Sequence, residues 1–256
     1  MTDSAKFWAG RLRDCGHTGW HDPIIYAYDQ QERVEIVRSV VQRLATGLNI
    51  KSALDFGCGV GDVSRMLLSM GLEVYGYDPF VVPTLRDGRF HHLSKLAEVT
   101  TAMPPVDLAV SVTVLDHILD EEELDAALGV IRDKTNGPLI MLEYALSDQV
   151  ERPAGMHRND YQAFRTVEEW RAVLARHAFR MVEVSGVPHP LTFPSPGYRR
   201  YRRSLYSRVA RLLLRLHVPP GFMLWNLQLY AARMALPITI PSVEFQDSPL
   251  KLMVCQ

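Results

Sequence analysis

Apolar positions along the chain follow two rhythms, and the change between them comes near residue 50. Before it, Val34, Ile36, Val37, Val40, Val41 and Leu44 recur at the three-to-four spacing of one buried helical face, with Asp29 placed to cap that helix. A turn-rich stretch, residues 16–23, interrupts the helical region upstream. From residue 51 short apolar runs alternate with helical stretches. Segments 53–56, 74–77, 89–93, 107–112, 138–144 and 179–184 read as strands; 61–70, a segment opening on the acids 120–123, and 166–177 read as helices. A seventh strand, 250–255, follows a long insertion. The alternation predicts an α/β fold: a doubly wound, seven-stranded, mostly parallel sheet with an N-terminal helical cap and a helical insertion before the last strand. The expected parts are a cap or lid over 1–48, an α/β domain over 49–186 plus 249–256, and the insertion over 187–248.

Between the first strand and its helix lies Asp55-Phe56-Gly57-Cys58-Gly59-Val60-Gly61. Glycines there permit a tight turn with positive φ and a close ligand approach, and the helix start offers unpaired N–H groups. A dinucleotide fingerprint, G-x-G-x-x-G, would put glycine at position 62, where this chain has Asp62. The second strand ends at Asp78, about twenty residues after the first glycine, where a carboxylate can accept hydrogen bonds from ribose hydroxyls.

Residues 55–61, Asp78 and the run 107–118 resemble class I S-adenosylmethionine-dependent methyltransferases, most closely the branch of ubiquinone-biosynthesis O-methyltransferases, over roughly residues 50–185 and the last strand. The resemblance implies a Rossmann-like fold that binds S-adenosylmethionine and releases S-adenosylhomocysteine. It places Asp55, Gly57, Cys58, Gly59 and Gly61 around the methionine and adenosyl portions, and Asp78 with Pro79 at the ribose. Ser111, Val112 and Leu115 would form the cofactor wall after the fourth strand. Where many relatives carry an acid against the adenine, this chain has His91-His92-Leu93-Ser94.

The expected reaction is O-methylation of a small-molecule, sugar, lipid-linked or phosphorylated acceptor, which needs alignment and removal of one proton. Candidate bases are His117 after the fourth strand, Glu143 at the end of the fifth, and His157 in the loop beyond it, beside Asp160 and Tyr161. Trp20, Tyr26 and Tyr28, with His17, read as an aromatic lid, and Tyr161 as an acceptor contact. Adenine-N6, cytosine-C5 and protein-arginine signatures are missing, so nucleic acid is not an expected partner. No metal is expected. Cys15, His17 and His21 are irregularly spaced with no fourth ligand, and Glu143-Tyr144 stands where catechol-type relatives carry a metal-binding Asp-Asn pair. Two rival readings stay open: a non-catalytic cofactor-binding partner subunit, and a nucleotide-dependent oxidoreductase, against which Asp62 argues.

The chain's 28 basic and 29 acidic residues nearly cancel, yet the stretch from Val184 to Val243 holds no acid and eight arginines: 199, 200, 202, 203, 208, 211, 215 and 233. Leu205, Val209, Leu212 and Leu216 mark an amphipathic helix there. Three uses stay open: a helical lid or homodimer interface, a clamp in which Arg199 and Arg203 grip an anionic acceptor, or peripheral contact of 199–236 with an anionic membrane. Three cysteines at no pairing spacing, and a first segment unlike a signal peptide, predict a cytoplasmic protein, with the inner membrane surface as the peripheral alternative.

Overall fold

The computed structural model describes residues 3–20, 22–146, 161–203, 205, 208 and 245–256. Two helices, α1 (Asp3–Cys15) and α2 (Pro23–Ala45), precede the sheet. The alternating part then runs β1 (Ser52–Phe56), α3 (Asp62–Ser69), β2 (Glu73–Tyr77), β3 (Phe90–Leu93), α4 (Leu96–Thr101) and β4 (Leu108–Val112). After a 3-10 turn at Leu115–His117 come α5 (Glu121–Lys134), β5 (Leu139–Leu146), β6 (Arg165–Thr166), α6 (Val167–Arg176), β7 (Met181–Gly186), α7 (Pro196–Arg203) and β8 (Leu250–Cys255).

The sheet order is β3-β2-β1-β4-β5-β8-β7. Its first five strands are parallel, and β8 inserts antiparallel between β5 and β7. These are the seven strands expected from the sequence. β6 is an additional two-residue strand on the end of β5, pairing Ala145 with Arg165 and Leu146 with Thr166.

Side chains alternate strictly between the two faces, as pleating demands. Leu54, Phe56, Ala109, Leu139 and Met141 face a core closed by Val99 of α4, Leu124 and Leu128 of α5 and Trp170 of α6. Ala53, Leu108, Val110, Ile140 and Leu142 face the opposite core, closed by Ile36, Val37, Val40 and Val41 of α2 and Val63, Met66 and Leu67 of α3. The three-to-four pattern of α2 is therefore a true burial pattern, but its start differs from the sequence expectation. Asp29 does not cap α2; it lies inside the helix, buried, paired with Arg33 at 2.7 Å and accepting from Trp20 Nε1 at 2.9 Å. A local capping signal yields here to two tertiary partners that make the burial of the charge affordable.

The caps of α5 and α6 follow local rules. Asp120 accepts from Glu123 N at 2.9 Å, and Thr166 with Glu169 forms a reciprocal capping box. No helix among the described residues is long and apolar enough to cross a membrane. Residues 209–244, which hold most of the expected amphipathic helix, lie outside the described residues, as do His21, His157 and Asp160.

Candidate active site

Parallel strands deliver their carboxyl ends, and the turns after them, to one edge of the sheet. Along that edge a cavity of about 820 Å³ opens between the turns and the N-terminal helices. The β1–α3 turn forms its floor. Gly57, Gly59 and Gly61 take φ of 79°, 52° and 87°, the left-handed region that side chains avoid. At Gly57 the restriction is also spatial, since a Cβ would stand 2.2 Å from Val114 Cγ2. Asp55 sits beneath the turn and accepts from Ser64 Oγ at 2.6 Å; burial pushes its carboxyl up to about 7 against that hydrogen bond. Cys58 lines the cavity as a buried thiol whose acidity burial suppresses.

Asp78, after β2, accepts from Gly59 N at 3.0 Å and from Phe80 N and Val81 N at 2.9 Å each. One carboxylate thus ties the glycine turn to the turn after β2 while lining the cavity beside Pro79. Leu96, at the start of α4, lines the cavity on the side of β2 and β3, whereas His91, His92, Leu93 and Ser94 are not among the lining residues.

The wall after β4 differs from expectation by one residue. Val112, Thr113 and Val114 line the cavity, whereas Ser111 and Leu115 are fully buried behind it. Ser111 shares its sheet face with Ala109, and Val112 the opposite one with Val110. The same parity separates Glu143 from Tyr144 on β5. Glu143 is fully buried and accepts from Ser111 Oγ at 2.8 Å, from Val114 N at 3.1 Å and from Leu115 N at 3.2 Å. Burial and the neighbouring Asp116 hold its carboxyl well above the usual range. Both oxygens are committed to the turn after β4, so the structure does not present Glu143 to an acceptor. Tyr144, its neighbour, faces the cavity.

His117 lines the same cavity. Its Nδ1 lies 2.5 Å from the Tyr161 carbonyl, which can only accept, so Nδ1 carries the proton and Nε2 the lone pair. Nε2 stands 3.7 Å from Asp116 Oδ1, a buried oxygen with no hydrogen-bond partner, while Oδ2 accepts from Gln162 Nε2 at 2.6 Å.

Of the expected lid, Trp20 and Tyr26 line the cavity, Tyr26 donating to Asp62 Oδ2 at 2.7 Å and stacking on His17 at 3.5 Å. Tyr161 also lines it, stacked on Phe7 at 4.0 Å. Tyr28 does not. It is buried on the far side of α2, donating to Glu32 Oε1 at 2.5 Å and bonded to Ser195. Arg199 and Arg203 are exposed on α7 and are not among the cavity-lining residues. Sequence reasoning missed Phe7, Trp8, Arg11 and Arg33. Arg33 is buried, paired with Asp29, and donates to Thr113 Oγ1 at 2.6 Å. Burial would lower its basicity, and Asp29, Tyr144 and Asp116 together more than offset that. The i,i+4 spacing of Asp29 and Arg33 was the available signal. Among the described residues no cluster of three or more His, Cys, Asp or Glu could hold a metal ion.

A mostly parallel sheet with an antiparallel strand beside its last parallel one, a left-handed glycine turn after β1 and a carboxylate after β2 define a class I S-adenosylmethionine-dependent methyltransferase. A family model described as a methyltransferase domain matches residues 27–184, and the chain belongs to that family. Solved structures with the same fold include the Haemonchus contortus phosphoethanolamine N-methyltransferase 2 bound to phosphomonomethylethanolamine and S-adenosylhomocysteine, at 14% identity and TM-score 0.57 over 100% of this chain and 60% of that one. The methyltransferase complexed with the Haloferax volcanii Trm112 activator matches at 13% identity and TM-score 0.54, over 100% and 98%. Magnesium protoporphyrin IX methyltransferase from Synechocystis, with S-adenosylhomocysteine, matches at 20% identity and TM-score 0.50, over 72% and 88%. At these identities the likeness is one of fold. A search of curated proteins finds no match. The comparisons reach the superfamily and do not single out the ubiquinone-biosynthesis branch.

Proposed function

We propose that this methyltransferase acts on a hydroxyl group of a small-molecule acceptor, with His117 taking the proton. The cofactor fits the residues present. The glycine turn takes left-handed φ at Gly57, Gly59 and Gly61 and lines the cavity with Gly57 and Gly59, and Asp78 stands at the end of β2 with lone pairs beyond its three amide bonds. Arg11, which lines the cavity with a buried, unpartnered Nε and no carboxylate partner among the described residues, suits the cofactor's carboxylate. S-adenosylmethionine supplies a methyl group already activated on a sulfonium, so the chain's own tasks are alignment, exclusion of water and proton removal.

The observation that carries the reading is the setting of His117. The Tyr161 carbonyl fixes a proton on Nδ1, so Nε2 is the ring nitrogen that can take one up. A proton taken up at Nε2 creates an ion pair with Asp116 Oδ1, a buried oxygen that otherwise lacks a partner. Aromatic rings gather beside it: Trp8 meets the His117 ring edge-on at 4.9 Å, and Phe7 stacks on Tyr161 at 4.0 Å. A positioned base of this kind contributes about 10²–10⁴-fold.

The test is incubation of the purified protein with methyl-labelled S-adenosylmethionine and an extract of its own host, followed by separation of lipid, aqueous and macromolecular fractions. Alkali-stable label in a small-molecule ether supports the reading, and His117→Ala should lower its formation at least 100-fold with cofactor affinity retained. Label in protein or nucleic acid, or full turnover by His117→Ala, sinks it.

A further inference from the structure

Two strands along the sheet edge from the glycine turn, at β5, the cavity wall carries a second set of polar groups. Tyr144 Oη lies 3.0 Å from His189 Nε2. The other ring nitrogen, His189 Nδ1, is met by the backbone N–H of Thr192 at 3.2 Å and by its hydroxyl at 2.8 Å. A backbone N–H only donates, so Nδ1 is an acceptor and the ring proton sits on Nε2. Nε2–H therefore donates to the Tyr144 oxygen. The phenol's own proton is not spent on His189 and is free to point into the cavity that Tyr144 lines. The Arg33 guanidinium faces the same phenol, held on its other sides by Asp29 and Thr113.

This wall is electrically neutral. Arg33 and Asp29 cancel at 2.7 Å. Burial raises the Tyr144 phenol to about 12 despite Arg33, and burial lowers His189 to about 4, so both are uncharged at neutral pH. The remaining surface is aromatic. Trp20 is fixed through Nε1 to Asp29 and meets His189 edge-on at 5.8 Å. The same cavity is lined by the Phe7–Tyr161 stack and by Trp8, whose ring meets His117 edge-on at 4.9 Å. Arg11, which lies over Phe7, is the group assigned above to the cofactor carboxylate; with it so used, a buried phosphate or carboxylate would find no uncompensated cation on this wall, and its desolvation would go unrepaid. A flat neutral ring would find aromatic faces and one hydrogen-bond donor.

We propose that this wall binds a neutral aromatic methyl acceptor, one oxygen or nitrogen of which accepts a hydrogen bond from the Tyr144 hydroxyl, while His189 and Arg33 hold that hydroxyl in place. The inference rests on the methyl-transfer reading of the cavity and adds the class of acceptor and the residue that touches it. Tyr144 is the contacting group; His189 is a positioning residue that acts through it.

The experiment is calorimetric titration of the S-adenosylhomocysteine-loaded protein with 2-naphthol, 2-methoxynaphthalene and 2-naphthyl phosphate. The two neutral probes should bind, and the phosphate more weakly than either. Tyr144→Phe should weaken both neutral probes about five-fold, the scale of one neutral hydrogen bond. His189→Gln, which keeps a donor, should retain most of the affinity, and His189→Leu should behave as Tyr144→Phe does. Nitrogen-15 spectra of the wild-type protein should show His189 neutral with its proton on Nε2, and Tyr144→Phe should move that resonance. Tighter binding of the phosphate, or no binding of either neutral probe to the loaded wild-type protein, overturns the acceptor class. Equal affinities in wild type and Tyr144→Phe, or a proton on Nδ1, overturn the role of the dyad. Failure of S-adenosylhomocysteine itself to bind would instead overturn the methyl-transfer reading on which the inference rests.

Discussion

Gly57→Ala separates two costs that the glycine turn avoids. The backbone at Gly57 has φ of 79°, where a residue with a Cβ pays about 1–2 kcal/mol. The new methyl would also stand 2.2 Å and 2.4 Å from the two γ-carbons of Val114 and 2.8 Å from its Cβ, an overlap that costs about 1–3 kcal/mol once neighbours shift. The sum is about 2–5 kcal/mol of folding stability. Val114→Ala deletes both γ-carbons and on its own costs about 1 kcal/mol, as small truncations of apolar side chains do. In the double variant only the 2.8 Å contact and the φ penalty remain, so the two substitutions should couple favourably by about 1–3 kcal/mol. Urea unfolding followed by circular dichroism measures all four corners of the cycle. Gly57→Ala within about 1 kcal/mol of the parent would refute the strain argument, and a coupling of zero would show that Val114 is not what the methyl meets.

Removing the Asp78 carboxylate should act on both fold and cofactor. Asp78→Ala frees three backbone amides and should lower S-adenosylmethionine affinity more than ten-fold by calorimetry; unchanged affinity would show that the ribose is held elsewhere. Glu32, buried against Tyr28 and Ser195, has its carboxyl raised from 4.5 to about 7 by burial. The fold therefore favours the neutral form, and stability present below pH 4.5 is lost as pH rises through 7, by about 3 kcal/mol from a shift of roughly 2.5 units. Measured against Glu32→Gln, which cannot ionise, the parent should lose that amount between pH 4.5 and 8, and a flat difference would contradict it.

Which parts were legible in the sequence follows from how local their causes are. β1, β5 and β8 are buried apolar runs whose signal is contained in the run itself, and the glycine turn advertises its backbone through residue type. β6 is two residues long and exists only because β5 extends past the sheet to meet it, so no periodicity could reveal it. The errors at the active edge are errors of parity. Ser111, expected on the cofactor wall from the family resemblance, and Glu143, expected as a base at the carboxyl end of its strand, each point to the face closed by α5 and α6, and their neighbours Val112 and Tyr144 reach the cavity. A shift of one residue in a strand reverses the face, and the sequence near a strand end does not state the parity. Asp29 was misread for a different reason. Its partners are Trp20 and Arg33, and only the second is close enough in sequence to be inferred.

The placement of β8 has a consequence for how such a chain can change. β7 and β8 are adjacent antiparallel strands, yet residues 187–249 intervene between them. Closing a connection costs free energy only as the logarithm of its length, about 0.6 kcal/mol for each doubling. The strand pair is therefore nearly indifferent to how long that connection is, even though its early residues His189 and Ser195 are tied to Tyr144 and Tyr28. A lineage could change its length between Arg203 and Phe245 while the glycine turn, Asp78 and the Asp116–His117 pair, all encoded before residue 187, keep their places and His189 stays beside Tyr144.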